Sequence, residues 1–182
     1  VSMDGMFEDL EGRLAHLEDQ QMRATAEDLA RAERSQVALV DRLRAAEGLP
    51  LVVHLTVGGS VEGPVAEIGR TWMMLGREHD RGARAVIPLA QVTSIEGLPA
   101  RARPAPASPL GARPLTSVLR RIARDRSLVR VQTPSATLPG RLASVGEDFV
   151  DIVSLPTGER GAVAGGGIST IPLAAIVLVS LD

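Results

Sequence analysis

A chain of 182 residues with a net charge of −2 and 45% hydrophobic residues is long enough for one or two small domains. It has no cysteine, which excludes disulfides and thiolate metal sites, and only 2% aromatic residues, so Val, Ile, Leu, Ala and Met must fill its cores. No stretch approaches the roughly 20 apolar residues of a membrane span, and the acidic start from Met3 to Glu11 lacks the apolar run of a signal peptide, so a cytoplasmic location without a membrane partner is expected.

Residues 1–48 read as an N-terminal helical arm. Phe7, Leu10, Leu14 and Leu17 recur at spacings of three and four, the mark of an amphipathic stripe. The phase slips near Gln20 and Gln21, and a second stripe follows through Met22, Ala26, Leu29, Val40 and Leu43. No proline interrupts the segment before Gly48 and Pro50 stop it. Such an arm either self-associates or docks a partner as a coiled coil, through Phe7, Leu10, Leu14, Leu17, Leu29, Val40 and Leu43, or folds back on the rest of the chain.

Residues 49–98 show five short apolar runs broken by closely spaced turns: Leu51 to Val57, Val61 to Ile68, Thr71 to Leu75, Ala83 to Leu89 and Val92 to Ile95. This spacing predicts a small β-barrel or sandwich rather than alternating strands and helices. Residues 99–114, rich in Pro, Ala and Arg, predict an extended linker. Residues 115–182 predict a short amphipathic helix with Leu115, Val118, Leu119 and Ile122 on its apolar face, then five more strands in the same order.

The two strand regions share a pattern. Gly63 to Leu75 (GPVAEIGRTWMML) is matched by Gly140 to Ile152 (GRLASVGEDFVDI), and Ile87 to Ile95 (IPLAQVTSI) by Ile171 to Val179 (IPLAAIVLV). A duplicated unit sets architecture before any single residue does. A helix followed by five short strands, with a glycine in the second strand at Gly63 and Gly140, resembles the Sm-like (SH3-like) small β-barrel. The resemblance implies a long N-terminal helix plus two tandem five-stranded small barrels, the second preceded by a short helix: a mainly β fold with some α. It does not carry the family's nucleotide-reading residues. Gly69 and Gly146 stand where Asp is usual, Met73 and Val150 where Asn is usual, and Pro88-Leu89 and Pro172-Leu173 where Arg-Gly is usual. The layout also resembles a family of uncharacterised proteins from high-GC Gram-positive bacteria often labelled Fis-type transcriptional regulators. The label sits poorly here, because a helix-turn-helix needs two short helices joined by a tight turn.

Arg113, Arg120, Arg121, Arg124, Arg126 and Arg130 fall in 18 residues that hold one acid, Asp125. They are the candidate contact for phosphates or an acidic partner surface. His16, His54 and His79 are scattered without metal-ligand spacing. No catalytic, metal or cofactor residues are assigned, and no enzyme is expected. The reading is a non-catalytic interaction or adaptor protein with a protein partner or a homo-oligomeric state. The alternative is a nucleic-acid-associated regulator, binding RNA or DNA through the Arg-rich second helix. Pro88 and Pro172 each remove a backbone donor near the fourth strand, which predicts that open-ended assembly along that edge is hindered.

Overall fold

A computed structural model describes residues 16, 20–28, 31, 35–76, 84–104, 113–154 and 167–181. The chain divides into two compact units, residues 1–38 and 39–182. In the first, residues 20–28 are helical and exposed, and Met22 is 65% exposed.

The second unit contains ten strands, close to where alternation places them: β1 Pro50–Leu55, β2 Ser60–Ile68, β3 Trp72–Gly76, β4 Arg84–Pro88, β5 Val92–Glu96, β6 Val129–Gln132, β7 Thr137–Val145, β8 Phe149–Ser154, β9 Ile168–Pro172 and β10 Leu178–Leu181. Two helices accompany them, α1 Leu39–Ala45 and α2 Leu115–Arg124, with short 3-10 turns at Leu89–Gln91 and Leu173–Ala175.

Two expectations are overturned. The strands do not close into two barrels; they form one open antiparallel sheet in the order β5-β1-β2-β3-β4-β10-β6-β7-β8-β9. The seam is the pairing of β4 with β10, with Val86 opposite Val179, Ala85 opposite Ser180 and Arg84 opposite Leu181. The physical reason lies in β3 and β4. Trp72, Met73, Met74 and Leu75 are all buried, as are Ala85, Val86 and Ile87. Strands that are apolar on both faces need cover on both faces, and one five-stranded unit supplies only one of them. Neither is there one long N-terminal helix. Among the described residues the helical path is interrupted at 36–38, before α1 begins. The apolar stripe does not run through that point on one face: Val37 and Leu39 are exposed, while Leu43 is fully buried.

Two cores result, and each borrows across the seam. The first gathers Leu43 of α1 with Leu51, Val53, Met73, Leu75 and Ile87, and takes in Val177 from the second half. The other gathers Val118, Leu119 and Ile122 of α2 with Val131, Val150 and Ile152, and takes in Trp72, Met74 and Val86 from the first half. Fully burying one such side chain stabilises by about 1.5–3 kcal/mol. The borrowed residues therefore bind the halves into one unit.

Glycine makes room at matching places in the two halves. A Cβ on Gly69 would run into the Trp72 indole, and one on Gly146 into the Phe149 ring. Each glycine amide also donates to the carbonyl of that aromatic residue, at 2.9 Å in both halves. At Gly140 a Cβ would strike the Val153 carbonyl, so close strand approach requires glycine there.

Candidate functional site

The arginines of the Arg-rich segment have different partners. Helix α2 packs on β7 through its apolar stripe, and its arginines leave on different sides. Arg121 turns toward the first half and donates two hydrogen bonds to Glu67 of β2, the shorter at 2.6 Å. Arg113 donates to the same carboxylate at 3.5 Å. The Arg113 carbonyl accepts from the Trp72 indole N–H at 2.9 Å and from the Arg70 amide at 3.1 Å. Two of the six arginines thus tie the segment entering α2 to the first half. Glu67 is not among the residues the sequence singles out: β2 carries two acids, Glu62 and Glu67, and nothing in the pattern distinguishes the one that meets Arg121.

Arg120 and Arg124 lie one turn apart and share a helix face with Ser117. Together with Ala123 and with Ala143, Ser144 and Val145 of β7 they line an open cleft of about 470 Å³. Arg120 donates to the Gly146 carbonyl at 3.3 Å, which holds it along the cleft wall. Arg126 follows the helix end with a positive φ of 52°, and Arg130 projects from β6; both are exposed.

Beside the cleft stands a polar ladder across three strands. Asp151 of β8 is register partner to Ser144 on β7 and Thr170 on β9. Ser144 donates to one Asp151 oxygen at 2.6 Å and Thr170 to the other at 2.7 Å. These two hydrogen bonds hold the Asp151 carboxyl below its ordinary range, against a small opposing effect of desolvation.

Of the predicted helix-contact residues, Leu43 is fully buried in the first core and Val40 is half-buried, while Phe7, Leu10, Leu14, Leu17 and Leu29 lie outside the described residues. His54 bonds Glu96 at 2.8 Å across β1 and β5. Among the described residues no three His, Asp or Glu side chains gather as a metal site would need. No helix among them is long and apolar enough to cross a membrane.

The proline-rich segment is partly pinned. Arg42 donates to the Leu98 and Pro99 carbonyls at 3.2 and 3.0 Å, and the Arg103 amide donates to the Asp41 carbonyl at 2.8 Å. Arg103 also pairs with Glu47. α1 therefore holds the start of the segment, and Trp72 its end.

The outer sheet edges are β5 and β9. β9 exposes Ile168, which is 67% accessible, and Thr170. No family model, no curated protein and no solved structure matches this chain.

Proposed function

We propose that the chain is a non-catalytic interaction protein that assembles edge to edge, β9 of one copy adding to β5 of the next. The observation that carries this reading is the seam. The first half runs β5-β1-β2-β3-β4 and the second β10-β6-β7-β8-β9, so β4 matches β9 and β10 matches β5. One molecule therefore ends in the same two kinds of strand that pair at its middle. Unpaired strand edges are templates for strand addition, and a head-to-tail contact of this kind propagates to a ring or a filament.

The seam supplies the register. Through the IPLA alignment, Val86 opposite Val179 corresponds to Thr170 opposite Ile95, and Ala85 opposite Ser180 to Ser169 opposite Glu96. The seam pairing spans residues 84–86 and stops short of Pro88, so the missing proline donor falls outside it, and outside the matching stretch 168–170. That removes the hindrance expected from Pro172. Replacing the buried Val86 by the exposed Thr170 makes the contact between copies weaker than the seam and dependent on concentration.

The chain has no cysteine, which makes the test unambiguous. Thr170→Cys protein mixed with Ile95→Cys protein is expected to give a disulfide-linked dimer under mild oxidation, since opposed residues of an antiparallel pair fall within disulfide reach. A mixture that stays monomeric at all concentrations, or a Thr170→Cys sample that links only to itself, would refute the register.

A further inference from the structure

We infer that the cleft between α2 and β7 binds a small phosphomonoester, held by Arg120 and Arg124. The site is separate from both sheet edges and does not depend on edge assembly. Three features lead to it.

The first is charge placement. Arg120 and Arg124 line one wall one helical turn apart, with the Ser117 hydroxyl on the same face, and the other wall is the neutral Ala143, Ser144 and Val145. No carboxylate lines the cleft among the described residues. Two guanidinium groups on one wall suit a tetrahedral anion, which takes several charge-assisted N–H donors at once. Arg124 enters no hydrogen bond or ion pair among the described residues, so its donors are available. Arg120 is already aligned by its bond to the Gly146 carbonyl.

The second is the state of Ser144. Its hydroxyl proton is committed to Asp151, whose carboxyl is fixed by two hydrogen bonds. Toward the cleft Ser144 therefore presents a lone pair, an acceptor for a ligand hydroxyl rather than a donor for a second phosphate. A phosphate at the arginines with a hydroxyl reaching Ser144 satisfies both walls.

The third is extent. The cleft volume of about 470 Å³ suits a small molecule. Among the described residues its lining holds no aromatic ring on which a base could stack, and Arg113 and Arg121 are spent on Glu67, which interrupts any cationic track along α2. Single-strand binding relies on such a track with stacking platforms. The observations favour a point site over a nucleic-acid groove.

The test is calorimetric titration of the full chain with inorganic phosphate, with glycerol 3-phosphate and with a short single-stranded DNA, at two salt concentrations. Saturable binding of glycerol 3-phosphate, tighter than that of inorganic phosphate, is expected. Arg124→Ala is expected to weaken it about tenfold, the loss of one charge-assisted contact. Because Arg124 is exposed and enters no hydrogen bond or ion pair among the described residues, this variant is expected to keep the fold. Arg126→Ala, outside the cleft, is expected to change affinity less than twofold. Absence of saturable phosphate binding, or equal weakening by Arg124→Ala and Arg126→Ala, would overturn the site. DNA binding tighter than glycerol 3-phosphate with a steep salt slope would overturn the small-ligand assignment in favour of nucleic acid.

Discussion

Met74 and Asp151 hold corresponding places in β3 and β8, and their surroundings are opposite. Met74 is buried against the second core, with Trp72 and Val86 beside it. Asp151 is accessible, bound by Ser144 and Thr170, on strands where the first half has Glu67 and Val86. The backbone order is the same in both halves, but the outer face of the first is a covered apolar joint and that of the second a hydrogen-bonded polar surface. A strand pair thus becomes a permanent seam or an open edge according to a few side chains on one face. The energy separating the two is burial of apolar area, because the backbone hydrogen bonds available are alike.

Exchanging the two residues tests this most severely. Met74→Asp places an unpaired carboxylate at the covered face and is expected to cost about 3–5 kcal/mol in urea denaturation. Asp151→Met is expected to cost far less, since it removes only solvent-accessible hydrogen bonds. It is also expected to raise the average mass in sedimentation at a given concentration, because the outer face becomes apolar like that of β3. Similar costs for the two variants would erase the distinction between the halves.

The Glu67 bridge is the polar part of the joint, with side chains about a third exposed: 28% for Glu67 and 35% for Arg121. Glu67→Ala is expected to lower stability by about 1 kcal/mol at low salt and by less at high salt. A loss independent of salt would mean that packing, not charge, carries the contact.

The smallest effect concerns acid. Hydrogen bonding lowers the Asp151 carboxyl pKa in the folded state, so its contribution to stability is present above the ordinary carboxylate range and fades as pH falls through the lowered value. Thermal melts should show wild type above Asp151→Asn near neutrality, with the gap closing as the solution is acidified. A gap that widened on acidification would contradict the sign of this linkage.

Much of the sheet was legible in the sequence. The runs around Leu51, Val61, Phe149 and Ile168 alternate or are bounded by glycine, and strands form there. Partnership between the halves was not legible by counting strands. Trp-Met-Met-Leu carries the clue, because four consecutive buried residues cannot belong to a strand with a wet face. The N-terminal stripe failed for a different reason: helical spacing reports which face is apolar, not whether backbone bonds continue past residues 36–38. The arginine cluster was visible as composition. Its division was not, since whether Arg121 meets Glu67 or solvent depends on a contact 54 residues away.

Hydrogen exchange on the full chain at rising protein concentration tests the central claim most directly. The seam provides an internal standard, because residues 84–86 and 179–181 are paired within each molecule. Their pairing amides should be protected at every concentration. Amides of residues 168–170 and 95–97 that face outward should exchange freely when dilute and become protected together as concentration rises. Unchanged exchange at both edges up to the highest concentration, with the seam protected throughout, would contradict assembly through β9 and β5.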